Sequence, residues 1–328
     1  MHRGFAVVRR LALRALGMVL LATLAARADD YPSRPMLVIV PFAGGSASDV
    51  VTRILLERMQ KTLGQPFVVE NRPGAGGNIG TSAAAKAAPD GYTLLMSTVG
   101  PLAANRTLYK TLGYDPEKDL APISLFATLP NVIVINAKFP PKTLTEFVAY
   151  AKQHPDELNY GSVGVGSSQH LAGAYFDQVV GTKLVHVPYR NIAQYTPDFL
   201  GGQVAVGFQF LTNVAGMLQS GAARALAVTT PTRMTALPDV PTAAEAGVPG
   251  YETFGWLALL GPADLPKPII DKLNGALQEA VKDPDVGKRF VEQGAEPTAG
   301  GPDELRKFIV SESAKWRDII HKAGIEPN

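Results

Sequence analysis

Residues that could bind an anion without a charged partner follow the apolar run Met36–Val40. Gly44 and Gly45 permit a turn with positive φ, and Ser46 stands three residues before Asp49, at the spacing of a helix-capping box. A helix that starts directly after a buried strand points free backbone N–H groups into one small space, and its dipole favours negative charge there. We therefore expect the N–H groups of Gly44, Gly45 and Ser46 to form a cradle for a carboxylate or another small anion. The alternative is that the turn is tight for structural reasons alone and binds no ligand.

A second segment with the same residue types is NYGSVGVGSSQH at positions 159–170. Its pattern again predicts a strand, a glycine- and serine-rich turn and the start of a helix. Packing alone gives little reason for so many small and polar residues in one turn, so contact with a ligand is the favoured interpretation. Ser168 and His170 could be a nucleophile and its base. A histidine just inside a helix start is more often a hydrogen-bonding residue, which disfavours catalysis.

Several established site patterns are absent from the chain. No Gly-Lys-Ser or Gly-Lys-Thr follows the first turn, and neither G-x-G-x-x-G nor G-x-S-x-G occurs, which excludes a P-loop, a dinucleotide fingerprint and a nucleophile elbow. The histidines are scattered, without an H-E-x-x-H motif or a carboxylate at metal-binding spacing. The lack of cysteine excludes disulfides and thiol catalysis. The sequence predicts no catalytic residue, no metal site and no cofactor.

The first 28 residues have the features of a secretory signal peptide. Four arginines precede the apolar run Ala15–Ala26, which is too short for a comfortable membrane span, and the tripeptide ARA at positions 26–28 fits a cleavage site. Cleavage after Ala28 and a periplasmic location are therefore predicted. The general secretory route is favoured, and the double arginine at positions 9 and 10 leaves the twin-arginine route open.

The predicted signal segment dominates the charge of the chain. It contains five of the 31 lysines and arginines and none of the 29 acidic residues, so the remaining 300 residues carry 26 basic and 29 acidic side chains, a net charge of −3. Without the signal segment the chain is no longer basic, and a basic charge was the main reason to consider a nucleic-acid partner. Without a cysteine to carry a lipid, we expect a soluble mature chain with no membrane anchor, and its length suits two domains.

The elements that must position the two turns are strand–helix units, which predict an α/β fold. Phe67–Glu70 is expected to be a second strand, and the glycine-rich turn after it contains Asn78, which can both donate and accept hydrogen bonds. Tyr92–Met96 is expected to be a third strand, followed closely by Thr98. Hydroxyl groups at the carboxyl end of a parallel strand lie where ligands bind in open α/β sheets. Three polar strand ends are therefore expected at one edge of a sheet.

The pattern restarts in the middle of the chain, which predicts a second unit. Ile123–Phe126 and Asn131–Asn136 are expected to be separate strands divided by Pro130, and further strands are predicted as far as Tyr251–Leu260. The tail is predicted to be three helices, each beginning at or near a proline. Trp316 falls in step with the apolar residues of the last helix, so we expect it in the core and not in a ligand site.

Seven motifs, in matching order and spacing, carry a family resemblance over the whole mature chain: VPFAGGSASD, ENRPGAGGNIG, PDGYTLLM, LYKTLGYDPEKDLAPIS, HVPYR, ARALAVTT and LPDVPTAAEAGVPGYE. Together they resemble the solute-binding receptors of tripartite tricarboxylate transporters, often called the Bug family. The resemblance implies an α/β, two-lobed periplasmic binding protein of type II-like fold, in which each lobe is a mixed, mainly parallel sheet flanked by helices. Lobe 1 is expected at residues 29–127 plus 252–328, and lobe 2 at 128–251.

The resemblance also implies a function. Closure of the lobes would capture a small carboxylate, with aromatic acids among the candidates, for delivery to a membrane permease with one large and one small subunit. A monomer without enzymatic activity is expected. Two alternatives stay open: a ligand-sensing receptor for a two-component sensor kinase, which needs the same closed state, and a periplasmic hydrolase that uses Ser168 and His170.

Ligand contacts carry over from the family residue by residue. The first ligand loop falls on Phe42, Ala43, Gly44, Gly45, Ser46 and Asp49, the loop of the second lobe falls on Ser162, Gly166, Ser167, Ser168 and His170, and weaker matches are Asn78, Thr98 and Tyr189. The chain departs from the family pattern at Asn191, where glycine is usual, and at a strand that commonly ends Phe-Asp-Asn. That strand ends here with Gln209, which is expected to contact the ligand, and Phe210. The change suits an aromatic or otherwise less polar acid.

Overall fold

The computed structural model of the protein describes residues 31–327, so the predicted signal segment and its cleavage site lie outside the described residues. The strands in this part of the chain are β1 (Met36–Val40), β2 (Phe67–Asn71), β3 (Thr93–Ser97), β4 (Leu120–Asn136), β5 (Asn159–Ser162), β6 (Val185–Pro188), β7 (Val206–Phe210), β8 (Ala223–Val228), β9 (Phe254–Pro262) and β10 (Glu296–Pro297). The α-helices are α1 (Ala47–Leu63), α2 (Asn78–Ala85), α3 (Asn105–Leu108), α4 (Leu144–Gln153), α5 (Ser168–Val180), α6 (Ile192–Gly201), α7 (Leu211–Gln219), α8 (Lys267–Lys282), α9 (Pro284–Glu292) and α10 (Pro302–Lys322). Alternating strands and helices define an α/β fold.

The first sheet, with the helices packed on it, forms lobe 1. In this sheet β1 lies between β2 and β3 and is parallel to both. β9 pairs antiparallel with β3 and with the first part of β4, and the short β10 also pairs with β4. Alternate residues of β9 point to opposite faces, so Leu257 and Leu259 enter one apolar core while Trp256 and Ala258 enter the other.

The strand β4 belongs to two sheets, which corrects the two separate strands expected from the sequence. Its residues up to Pro130 pair with β9, and those from Asn131 onwards pair antiparallel with β7 and β8. Proline has no backbone N–H to donate to a neighbouring strand. The strand can nevertheless contain Pro130, because the pairing with β9 ends at this residue and no hydrogen bond from its nitrogen is needed there. The second sheet forms lobe 2, in which β5 lies between β6 and β7 and is parallel to both.

The predicted two-lobed α/β architecture, with mixed sheets flanked by helices, is confirmed. Antiparallel pairing is more extensive than the expected mainly parallel arrangement. The reason is the path of the chain between the lobes: β4 carries it into lobe 2, β9 carries it back, and both strands run against their neighbours.

The last helix is tied to lobe 1 through a buried acid. Trp316 is 1% exposed, which confirms its predicted place in the core. Its indole N–H and that of Trp256 both donate to Oε2 of Glu312, at 3.0 and 3.1 Å. A buried carboxylate that accepts two indole donors leaves neither N–H unsatisfied, so α10 is held against β9.

Several element boundaries differ from those expected. The helix after the second glycine-rich turn begins at Asn78 instead of near Thr81, and α6 and α7 were not predicted. In α6 the proline at position 197 interrupts the helical pattern. Its start is nevertheless well defined, because the side chain of Asn191 accepts a hydrogen bond from the N–H of Gln194 at 3.1 Å.

Candidate functional site

A cavity of about 810 Å³ lies between the two lobes. Lobe 1 contributes the turn after β1, the glycine-rich turn before α2, and Thr98 after β3. Lobe 2 contributes the turn after β5, the segment from β6 into α6, and residues at the β7–α7 junction. The volume is that of a small-molecule site. Most of these walls are strand ends and helix starts, so the cavity is the candidate functional site.

The helix α1 starts at the cavity with a complete cap. Oγ of Ser46 accepts from the N–H of Asp49 at 3.4 Å, and Oδ2 of Asp49 accepts from the N–H of Gly45 at 2.9 Å. Gly45 has a φ of 77°, which its missing Cβ permits. The N–H of Ser46 donates to the carbonyl of Ala43 at 3.2 Å. The N–H groups of Gly45 and Ser46 are thus used within the loop, which corrects the expectation that they bind the anion.

Other N–H groups of this turn remain available. Ala47 and Ser48 are the first two residues of α1, where a helix offers no acceptor. Like the N–H of Gly44, theirs have no protein acceptor within residues 31–327. All three residues line the cavity. A carboxylate placed there would accept from these donors at the positive end of the helix dipole.

The helix α5 of lobe 2 starts in the same way. Oγ of Ser167 accepts from the N–H of His170 at 3.4 Å, and Nδ1 of His170 accepts from the N–H of Gly166, which has a φ of 85°, at 3.2 Å. Ser168 and Gln169 are the first two residues of α5 and line the cavity. Their N–H groups find no acceptor in the described part of the chain. One cavity therefore receives donors from a helix start of each lobe.

Asp49 is kept ionised by its neighbours. Burial alone would raise its pKa, but hydrogen bonds from Arg53, Gly45 and Asn71 outweigh burial and lower the pKa below its usual value. The Nε of Arg53 lies 3.0 Å from both carboxylate oxygens, and Nδ2 of Asn71 lies 2.9 Å from Oδ1. Because the charge of Arg53 neutralises the carboxylate of Asp49, the pair adds little net negative charge beside the cavity.

Two neutral histidines lie behind the turn of lobe 2. Burial, with a smaller contribution from His186, lowers the pKa of His170 to about 3, and burial lowers the pKa of His186 to about 4. Their ring centroids are 4.2 Å apart. Oγ of Ser162 lies 2.6 Å from Nε2 of His186 and accepts from the N–H of Gly164 at 3.0 Å. Both imidazoles are therefore uncharged at neutral pH. Together with Ser162 they hold the turn after β5 in place without lining the cavity.

The remaining walls are mostly apolar. Phe42, Tyr189 and Phe210 line the cavity. The hydroxyl of Tyr189 donates to Asp198 at 2.7 Å, so its proton is not available to a ligand. Among the described residues, no aspartate or glutamate lines the cavity, and Arg190 is its single charged side chain. Within the same residues, the Arg190 guanidinium has no carboxylate at ion-pair distance.

The structure divides the predicted site residues into two groups. Those that line the cavity are Phe42, Ala43, Gly44, Ser46, Thr98, Ser167, Ser168 and Tyr189. Those that lie outside its walls are Gly45, Asp49, Asn78, Ser162, Gly166, His170 and Gln209. Most of the second group hold the two turns in shape. The residue pattern identifies the turns, but it does not reveal which side of a turn each residue faces.

The side-chain amides of Gln209 and Asn78 have hydrogen-bond partners within the protein. Gln209 is fully buried and donates from Nε2 to the carbonyl of Gly161 at 2.9 Å, while its Oε1 accepts from Asn213 at 3.2 Å. Oδ1 of Asn78 accepts from Nδ2 of Asn105 at 2.6 Å and from the hydroxyl of Tyr114 at 3.0 Å. Neither residue lines the cavity, and their expected contacts with a ligand stay predictions.

Sequence reasoning missed several lining residues, among them Ser48, Tyr109, Gln169, Arg190 and Asn213. Ser48 and Gln169 could have been found, because the first turn of a capped helix has free N–H groups in addition to any in the glycine turn before it. Arg190 ends the HVPYR motif directly after β6. A cation at the carboxyl end of a parallel strand was a usable indication of an anion site.

The two lobes also touch each other directly beside the cavity. The hydroxyl of Tyr109 in lobe 1 donates to the carbonyl of Val165 in lobe 2 at 3.1 Å. A Cβ placed on Gly100 of lobe 1 would lie 2.4 Å from the carbonyl oxygen of Gly166 in lobe 2. Oδ1 of Asn105 packs against Gly166 and is buried without a hydrogen-bond partner within the described residues. The lobes are therefore in a closed arrangement.

Other kinds of site have no support between residues 31 and 327. No cluster of three or more histidine, aspartate or glutamate side chains there could hold a metal ion. In the same residues no helix is long and apolar enough to span a membrane. A smaller groove of about 350 Å³ between α1 and α9 is lined by charged side chains of both signs, some of which pair, such as Arg58 with Asp283 at 2.7 Å.

Comparisons with known proteins agree with this geometry. The sequence pattern of the tripartite tricarboxylate transporter family receptor matches residues 51–325. Protein BugT of Bordetella pertussis is 39% identical over 298 residues, which cover 90% of this chain and 91% of BugT. An R. palustris protein solved with adipate is 36% identical, with a TM-score of 0.87, over 91% of this chain and 100% of its own.

The protein MatC from Rhodopseudomonas palustris, solved with bound malate, is 34% identical, with a TM-score of 0.82, over 88% of this chain and 100% of its own. The family pattern covers most of the described residues, and the solved relatives share both lobes. The chain therefore belongs to the tripartite tricarboxylate transporter receptor family of periplasmic solute-binding proteins.

Proposed function

We propose that this protein captures a small carboxylate and holds it between the two capped helix starts. The observation that carries the proposal is that one cavity without acidic walls receives the first-turn N–H groups of Ala47 and Ser48 from lobe 1 and of Ser168 and Gln169 from lobe 2. Neutral donors can satisfy a buried carboxylate without the desolvation cost of burying a second charge. The relatives solved with adipate and malate support the same ligand class.

Binding is expected to draw the lobes together. A carboxylate can accept from both helix starts only when the lobes are closed, and this difference in affinity shifts the equilibrium towards closure. The moving units are proposed to be residues 29–127 plus 252–328 and residues 128–251. The change of pairing partner along β4 at Pro130, and the return of the chain to lobe 1 at Phe254, support boundaries near these positions.

The ligand is proposed to be a dicarboxylate with an apolar body. Phe42, Tyr189 and Phe210 offer apolar surface to its middle. Arg190 lines the same cavity and is free to pair with a second carboxylate. A guanidinium is suited to this role because its donors match the two oxygens of a carboxylate.

The captured acid is proposed to be released unchanged to a membrane permease in the periplasm, as the family name implies. Hydrolysis by Ser168 and His170 is not expected. The hydroxyl of Ser168 donates to Oδ1 of Asn131 at 3.3 Å, and Nδ1 of His170 accepts from the N–H of Gly166. A nucleophile and its base must share a hydrogen bond, and these two residues bond elsewhere.

Thermal-shift screening of the purified protein, followed by calorimetry, tests the proposed function. We expect adipate or another dicarboxylate to raise the melting temperature, because a ligand that binds only the folded state stabilises it. The diamide of adipic acid is the matched neutral control and should cause no shift. Stabilisation by sugars or amines, without a response to any carboxylate, would contradict the proposal.

Substitution of Arg190 by glutamine should weaken dicarboxylate binding about tenfold, which corresponds to about 1.4 kcal/mol. Binding of a monocarboxylate of equal chain length should change less than twofold, because only the second carboxylate loses its partner. Calorimetry with adipate and hexanoate measures both affinities. Arg233→Gln is the control, since Arg233 pairs with Glu245 outside the cavity. Equal losses for both ligands would show that Arg190 does not recognise the second carboxylate.

A further inference from the structure

The turns before α1 and α5 share one pattern of hydrogen bonds. In each, a glycine with positive φ donates its N–H to a side chain four residues later, from Gly45 to Asp49 at 2.9 Å and from Gly166 to His170 at 3.2 Å. In each, the serine after the glycine caps the helix and accepts from the N–H three residues on. The two turns thus require an acceptor at equivalent positions, and the chain supplies a different one in each lobe.

The two acceptors differ in charge. Asp49 is an anion, and Arg53, four residues further along α1, compensates it at 3.0 Å. His170 is followed four residues later by Ala174, which offers no such compensation. A carboxylate at position 170 would therefore be buried without a cation, beside the helix start where the ligand is proposed to bind.

Only the neutral form of His170 can play its part in the turn. The N–H of Gly166 donates to Nδ1, so this atom must present a lone pair, and the ring proton must be on Nε2. His170 is 5% exposed, and the ring of His186 lies 4.2 Å away. Burial and the second imidazole both oppose a positive charge on His170.

We infer that His170 is a positioning residue that fixes the Gly166–Ser167 turn through a neutral acceptor, and so lets the helix start of lobe 2 accept an anion with no uncompensated carboxylate next to it. His170 does not line the cavity, so its effect on a ligand passes through the backbone of the turn. In lobe 1 the Asp49–Arg53 pair fills the same position with a compensated charge. The part of the inference that concerns binding rests on the proposed function.

Four variants of the full chain test the inference, with adipate as the calorimetric probe. His170→Leu removes the acceptor and should weaken binding at least tenfold. His170→Asn supplies a neutral acceptor and should stay within threefold of the wild type. His170→Asp supplies an uncompensated charged acceptor and should weaken binding at least thirtyfold. The double variant His170→Asp with Ala174→Arg recreates the pair of lobe 1 and should recover at least tenfold of that loss.

Hydrogen–deuterium exchange of the ligand-free protein gives a readout that does not need a ligand. The amide of Gly166 should exchange faster in His170→Leu and remain protected in His170→Asn. Equal protection in these two variants, or equal binding in His170→Asp and its Ala174→Arg partner, would overturn the inference. If wild-type protein binds neither adipate nor malate, the proposed function fails, and the exchange of Gly166 still decides whether His170 positions the turn.

Discussion

Substitution of Gly100 by leucine should lower the affinity for the carboxylate ligand at least a hundredfold, with little change in the stability of the ligand-free protein. The two atoms nearest to a Cβ at this position are the carbonyl oxygen and carbon of Gly166 in the opposite lobe, at 2.4 and 3.2 Å. Gly100 does not have a positive φ, so a side chain causes no backbone strain within lobe 1. The leucine should therefore act against closure and not against folding.

The size of this effect follows from the geometry of the cradle. The N–H groups of Ala47 and Ser48 belong to one lobe, and those of Ser168 and Gln169 belong to the other. A side chain that holds Gly100 and Gly166 apart removes one set of donors from the carboxylate, and each hydrogen bond to a charged group contributes about 1.5–3 kcal/mol. Losing two such bonds corresponds to at least a hundredfold change in affinity.

Calorimetry and small-angle X-ray scattering measure the two parts of this prediction. Wild-type protein should become more compact when adipate is added, whereas Gly100→Leu should keep its larger radius of gyration. Gly287→Leu is the matched control, because Gly287 is a helical glycine with open space around its Cβ position. Wild-type affinity in Gly100→Leu would show that the close approach of these backbones is not needed for binding.

The features that the sequence predicts best are those set by neighbouring residues. The cap at Ser46 was identified because a serine after a glycine turn satisfies the first turn of a helix locally. The turn before α5 was identified from its glycines and serines, and the structure places a serine cap there as well, at Ser167. The location of the site was therefore predictable from short stretches of sequence, together with the expectation that parallel strand ends share an edge.

Features set by distant partners were predicted less well. Pro130 suggested a break between two strands, but β4 continues because its partner changes from β9 to β7 at that residue. Gln209 was expected to face the ligand, and its amide instead bonds to Gly161 and Asn213. Pairing partners and the direction of a buried amide depend on chain segments far away in sequence, which local pattern does not encode.

Stability in acid should depend strongly on His170 and His186. Both residues have their pKa lowered from 6.5, to about 3 and about 4, so between pH 6.5 and 4.5 they are neutral in the folded protein and protonated in the unfolded chain. The unfolded state then binds more protons, and the free energy of unfolding must fall as the pH falls. Together the two residues should remove roughly 4 kcal/mol over this interval.

Asp177 acts in the opposite direction over the same interval. Burial raises its pKa to about 6, so the folded protein takes up a proton that the unfolded chain, with a usual value of 3.8, does not. This contributes roughly 2 kcal/mol of stabilisation by pH 4.5. The wild type should therefore lose only about half of the amount expected from the histidines, and Asp177→Asn should show the larger loss.

Urea unfolding at pH 6.5, 5.5 and 4.5 separates these contributions. In the double variant His170→Asn with His186→Asn, the two buried bases are absent, and the loss of stability on acidification should disappear or change sign because Asp177 still gains its proton. Above pH 4.5 the carboxylates with lowered pKa, such as Asp49, remain ionised in both states and add little to the slope. If the double variant lost stability as steeply as the wild type, the neutral state of the two histidines could not be the cause of the acid sensitivity.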